Sequence, residues 1–155
     1  MIRKTSIAAA GLAVAATAVF AAGHAGPFDS AITARKSHMQ LYAHNLGILG
    51  GMAKGALDYD AAAASAAATN LAALTTLNQA TYWPPSSDAM SVDNTRALPN
   101  IWENFPDVSA KGGALVQAAA AMAGAAGNGL GDLQAAMGPL GAACGACHKT
   151  YREPK

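Results

Sequence analysis

The sequence predicts an all-α protein, an antiparallel up-down-up-down four-helix bundle, and three observations carry that expectation. Apolar residues recur every three or four positions in four separate stretches, and no period-2 alternation of useful length occurs. The chain is 52% hydrophobic but only 6% aromatic, with alanine, the best helix former, supplying much of the apolar share. Glycine, proline and asparagine cluster between the stretches, where chain breaks belong. Four helices with one apolar stripe each bury those stripes against one another in a bundle. A length of 155 residues fits one domain.

The first 25 residues stand apart. Arg3 and Lys4 precede an apolar stretch from Ile7 to Ala22, and Gly23-His24-Ala25 offers small residues for cleavage after Ala25. That order is the grammar of a secretory signal peptide, so residues 1–25 are read as a leader and residues 26–155 as the folded domain. The apolar stretch falls short of the roughly 20 residues a membrane span needs, and no later run reaches that length. Loss of Arg3 and Lys4 turns the formal charge from +1 to −1. With no basic block, the chain lacks the electrostatic footprint of a nucleic-acid binder.

The first helix is expected from about Asp29 to Lys54, with Gly55 at its C′ position and a stripe of Ile32, Arg35, Met39, Tyr42, Leu46, Leu49 and Ala53. Asp58 or Asp60 can cap a second helix that runs to about Ala80, with Ala67, Leu71, Leu74 and Leu77 inward. From Tyr82 to Asp107 the periodicity breaks, and Trp83, Ile101, Trp102 and Phe105 mark a long connection that packs onto the bundle. A third helix covers about Ser109 to Ala126, with Leu115, Ala119 and Met122 on one face, and Gly127-Asn128-Gly129 ends it. The fourth spans about Gly131 to Glu153, with a stripe of Leu133, Met137, Leu140, Cys144, Cys147 and Tyr151. Pro139, near its middle, should kink or interrupt it.

Chemistry concentrates in Cys144-Gly145-Ala146-Cys147-His148. On a helix, residues three and four apart share a face, so both thiols and the imidazole point the same way. Covalent haem attachment needs that arrangement: two thiols add across the porphyrin vinyl groups, and the adjacent histidine reaches the iron. Cys-x-x-Cys-His is the signature of a c-type haem. A zinc site wants four ligands, and only three histidines and these two cysteines follow the leader to supply them. A thioredoxin-like pair belongs in a βαβ context that is missing, and a disulfide leaves His148 unexplained. Export agrees with haem c, which is attached outside the bacterial cytoplasm, and places the product in the periplasm.

With this motif at its C-terminal end, the chain resembles the class II cytochromes c, the cytochrome c′ family. Cys144-Gly-Ala-Cys147-His148-Lys-Thr-Tyr151-Arg152 is similar to the family's C-terminal pattern. Arg35-Lys-Ser-His-Met39-Gln-Leu-Tyr42 resembles the segment over the distal haem face, and Leu98-Pro99-Asn-Ile101-Trp102 the segment before the third helix. The resemblance implies thioethers at Cys144 and Cys147, His148 as proximal ligand, and Arg152 near the proximal face. It also implies that Arg35 pairs with a haem propionate, which would relieve the cost of a charge on an apolar stripe. Dimers through the first two helices occur in the family, and the outer positions Ala34, Leu41, Ile48 and Gly51 are compatible with a homodimer.

The sixth coordination position decides between functions. Met39 falls one turn after Arg35, where the family places the residue above the iron, and is expected to ligate. His38 and His44 lie off the stripe and are expected to face water or a neighbouring helix edge; Met52 is too far along the helix. With His148 and Met39 bound, iron has no open site, and the protein passes single electrons to and from redox partner proteins. With Met39 only shielding an empty site, the protein binds nitric oxide or carbon monoxide. A peroxidase needs distal acid–base groups, and the stripe offers only Arg35 and Tyr42, so no enzymatic role is expected.

Overall fold

The computed structural model describes residues 26–154; the expected signal peptide lies outside the described residues. Four long helices form the bundle: α1 (Asp29–Ala53), α2 (Ala61–Thr75), α4 (Phe105–Ala125) and α5 (Leu130–Tyr151), with a single-turn α3 (Asn100–Glu103) in the long connection. Each long helix packs on two others, α1 on α2, α2 on α4, α4 on α5 and α5 back on α1, which closes the ring. The core they enclose includes Leu49, Leu71, Ala119, Met122, Leu133 and Leu140.

Local chemistry explains most boundaries. Gly55 adopts φ +72° beyond the end of α1, and its N–H donates to the Met52 carbonyl at 3.1 Å, the left-handed C′ geometry that glycine adopts without strain. Asp60 caps α2 by accepting from the Ala63 N–H at 2.7 Å. The helix then stops at Thr75, short of the expected Ala80. Thr75 and Thr76 hydroxyls donate back to the Ala72 and Ala73 carbonyls at 2.6 and 2.8 Å, and Asn78 accepts from the Ala80 N–H at 3.0 Å to start a 3₁₀ turn. These side chains compete with the helix for its own backbone. Leu77 therefore lies exposed instead of inward.

The third long helix starts earlier than expected, at Phe105, because Pro106 sits in its first turn, where no intrahelical N–H is lost. Pro139 does not interrupt α5, which runs through it. Its ring is exposed, so water can satisfy the carbonyl that loses a partner one turn earlier.

The buried face of α1 differs from the expected stripe. Its buried residues are Ile32, Arg35, His38, Tyr42, Asn45, Leu49 and Met52; His38 is 4% exposed and Met39 37%. Two neighbours explain the correction. On the side turned to α2, Asn45 accepts from Asn70 at 3.4 Å, and His38 packs there near Leu74. On the side turned to α5, Gln134 donates to the Ala53 carbonyl at 2.8 Å, and the Met137 methyl stands 3.7 Å from where a Cβ on Gly50 would be. At about 100° per residue, Met39 shares the angular sector of Gly50 and Ala53, whereas His38 is a quarter-turn away under α2. The two helices pack closely at the Gly50–Ala53 end, and the exposure of Met39 shows that they leave an open cleft at the other.

The longest irregular segment lies at that other end. The chain from Thr76 to Asn104 leaves the end of α2 and returns at the start of α4, beside the first turns of α1 and the last turn of α5. As expected, it packs instead of extending into solvent: Ile101 is buried, Trp102 donates its indole N–H to the Trp83 carbonyl at 3.1 Å, and the two rings lie 6.4 Å apart. Phe105, expected to join them, is exposed.

Candidate haem-binding site

Cys144, Cys147 and His148 occupy successive positions on one face of the last two turns of α5. Both cysteines are unpaired thiols, partly exposed, and burial pushes both thiol pKa values up. A Cβ added at Gly141 or Gly145 would meet nothing within 4 Å, so the space beside the motif is open. Thiols that are reduced, accessible and spaced i,i+3 next to an imidazole fit a haem c.

Met39 is 37% exposed on the side of α1 turned to α5. The contacts Ala53–Gln134 and Gly50–Met137 step in opposite directions along α1 and α5, and Tyr42 lies within electrostatic reach of Cys144. The same antiparallel register carried one more turn brings Met39 level with Cys147 and His148. Among the described residues no other methionine shares that level and sector: Met52 is buried at the far end of α1, Met90 is exposed in the connection, and Met122 and Met137 belong to the core or its edge. His38 is buried, contrary to the sequence reading, with its ring 4.6 Å from Tyr42 and 6.0 Å from Tyr82, and its Nε2 has no hydrogen-bond partner. Burial pushes its pKa down. His44 is exposed, as expected.

Arg35 is 3% exposed, but the structure gives its charge partners other than a propionate. One terminal nitrogen donates to the Tyr82 carbonyl at 3.3 Å and Ser87 Oγ at 2.7 Å; the other donates to the Ser87 carbonyl and to Thr95 Oγ1 at 2.7 Å. The guanidinium carbon lies 4.9 Å from the centre of the Trp83 ring, a cation–π distance. Asp88, itself buried, adds a nearby negative charge. All four terminal N–H groups are thus used, and only Nε–H remains. The long connection supplies partners for both terminal nitrogens of Arg35, and Nε–H is left for a further acceptor such as a propionate.

Arg152 stands beside His148 just past the end of α5. With Arg96, Lys149 and Glu153 they line a cavity of about 420 Å³. Burial first, then the charges of Arg152 and Arg96, push the His148 pKa below its ordinary value. The imidazole is therefore neutral at neutral pH, the form that binds a metal.

Sequence reasoning placed Tyr151 on the buried stripe but missed its polar partners under the motif. Tyr151 is buried and donates its hydroxyl to Asp107 Oδ2 at 2.6 Å, while Lys111 donates to both oxygens of Asp107 at 2.8 Å. The bond to Asp107 pushes the Tyr151 pKa up to about 12, and the bonds from Lys111 and Tyr151 hold the Asp107 carboxyl below its ordinary range. The i,i+4 spacing of Asp107 and Lys111 was a visible signal for the ion pair; the partnership with Tyr151, 44 positions away, was not.

Comparison with known proteins agrees with this geometry. The family model for cytochrome c′ matches residues 30–152. A cytochrome c-554 of Cereibacter sphaeroides is 47% identical over 122 residues, covering 79% of this chain and 80% of that protein. A solved cytochrome c′ from Rhodobacter Spheriodes is 38% identical, with a TM-score of 0.81, over 84% of this chain and all of the other. A cytochrome c′ variant from Alcaligenes xylosoxidans, solved in the ferrous state with bound NO, is 31% identical, with a TM-score of 0.70, over 81% and 94% of the two chains. A c-type haem motif on the last helix of a four-helix bundle, with these relatives, places the chain in the cytochrome c′ family of class II c-type cytochromes.

Proposed function

We propose that this cytochrome is a periplasmic one-electron carrier in which His148 and Met39 hold the iron from opposite sides. The observation that supports the reading best is the register of α1 against α5, which sets Met39 level with His148 on the cleft side. Bound at Cys144 and Cys147, haem supplies a one-electron ferric–ferrous couple, and a thioether ligand biases it toward the ferrous state. Burial first, and then the charges of Arg152 and Arg96, favour the neutral form of His148, which would hold the iron without first losing a proton. Met39 has three rotatable side-chain bonds and reaches across a cleft without backbone strain. The bundle carries the group and presents it to redox partners. Export follows from the leader, and among the described residues no helix is long and apolar enough to cross a membrane.

A second reading has its own support, and the comparisons favour it. Similar solved structures are cytochromes c′, one of them with bound NO. In that reading Met39 covers the iron without binding it, and the distal site takes nitric oxide or carbon monoxide. The ferric absorption spectrum at neutral pH separates the two. Met39 ligation gives a low-spin spectrum with the weak near-infrared band of a Met–His haem, lost in Met39→Ala. A high-spin spectrum with rapid carbon monoxide uptake by the reduced protein establishes the second reading. For assembly, we propose a homodimer through the outer face of α1 and α2, where Leu41 and Leu77 stand exposed beside a groove of about 340 Å³. Sedimentation giving one chain per particle at micromolar concentration would remove it.

A further inference from the structure

The long connection is tied to both walls of the cleft. On one side Tyr82, Ser87 and Thr95 hold Arg35 of α1, one turn from Met39. On the other, Ala97 pairs with Arg152 in an antiparallel bridge: Leu98 donates to the Tyr151 carbonyl at 3.0 Å, Glu153 donates to the Arg96 carbonyl at 2.9 Å, and Arg96 donates to the Glu153 carbonyl. That second tie begins three residues after His148. Thr95 and Arg96 are neighbours in sequence, so a single peptide step separates the hold on α1 from the hold on α5. The segment between is itself closed, with Ala89 donating to the Ala97 carbonyl at 2.8 Å and Ser87 fully buried.

We propose that residues 82–97 form a strap across the open end of the cleft, and that Arg35 is a positioning residue that fixes through it how far Met39 stands from the haem-bearing helix. The physical reason is the guanidinium fork. It is a rigid, planar donor set that engages three acceptor residues of the strap at once, which a flexible lysine ammonium cannot reproduce. Removing it leaves buried carbonyl and hydroxyl groups without partners, so the strap loosens and the two helices lose their fixed spacing at the level of Met39. The proposal rests on Met39 as sixth ligand, and its test separates failure of the strap from failure of that reading.

The experiment uses the haem-loaded protein and three variants, Arg35→Gln, Arg35→Lys and Thr95→Val. Amide hydrogen exchange is followed at Ala89, Ala97, Leu98 and Glu153, together with the ferric spectrum and the carbon monoxide association rate of the reduced form. Arg35→Gln should speed exchange at all four amides by about tenfold or more, raise the high-spin fraction and accelerate carbon monoxide binding. Thr95→Val, nearly isosteric and lacking one acceptor, should move every readout the same way by less, and it serves if Arg35→Gln fails to fold. Arg35→Lys should remain loosened. Wild-type behaviour of Arg35→Lys overturns the proposal, because a propionate salt link needs only the charge. Unchanged strap amides in Arg35→Gln overturn it as well, as does loosened exchange with an unaltered low-spin spectrum. If the wild type is itself high-spin, the Met39 reading fails, and exchange with the carbon monoxide rate still judges the strap.

Discussion

Two titratable side chains beneath the haem motif give opposite pH signatures. Tyr151 has a folded-state pKa raised to about 12 by its bond to Asp107, so its stabilising contribution is complete below the ordinary tyrosine pKa of about 10. That contribution drains away as pH rises from there to about 12. Tyr42, pushed up to about 12 mainly by burial, adds to the same alkaline loss. Tyr151→Phe should therefore flatten the alkaline limb of a denaturation-midpoint profile, leaving only the part due to Tyr42; an unchanged limb would show that the hydroxyl is not held by Asp107 in solution. Asp107 has the reverse sign. Its folded pKa is depressed by Lys111 and Tyr151, so its stabilisation is present above the ordinary carboxylate pKa and is lost as pH falls through the folded value. Asp107→Asn should lower the midpoint at pH 7, and the gap from wild type should close in acid.

At the scale of helices, stability rests on caps and on small, fully buried contacts. Leu133 and Leu49 are both completely inaccessible. Truncating Leu133 to alanine should cost about 2–5 kcal/mol, the range for buried leucines whose cavities collapse only in part. The alanine-rich walls of α2, with Ala64, Ala67 and Ala68 buried, have no long side chains that could swing into the gap. Asp60→Ala should cost about 1 kcal/mol, because one cap bond holds the start of α2. Urea titrations of both variants check these values, and a Leu133→Ala loss below that of Asp60→Ala would contradict the packing account. In α2 the end was harder to read than the buried face. Periodicity reports which side is buried over many residues, whereas the end of α2 turns on two threonine hydroxyls and one asparagine.

Across the molecule, helices α1 and α5 touch closely at the Gly50–Ala53 end and leave Met39 exposed toward the other. Alanine keeps the cost of ordering low but buries little apolar area at about 25 cal/mol per Å². A porphyrin between α1 and α5 would cover Met39 and the partly exposed motif with one rigid apolar face. A Cys144→Ala, Cys147→Ala double variant purified without haem should melt well below the holo protein. Equal melting temperatures would show that the helices alone close the cleft.

The sequence by itself determined the helical bundle, the haem motif with its three residues, and the position of Met39 one turn from Arg35. Each of these is written in spacings of three and four along one chain segment, and such spacings survive without knowledge of neighbours. The tertiary structure decided what lies between segments. It buried His38 and exposed Met39, because α1 is covered by two helices of unequal reach, and a single stripe cannot express two partners. It gave Arg35 to Tyr82, Ser87 and Thr95, acceptors 47 to 60 positions away, and Tyr151 to Asp107. A buried charge announces that it needs partners; only the folded chain, by bringing distant carbonyls and hydroxyls within hydrogen-bond reach, chooses which ones.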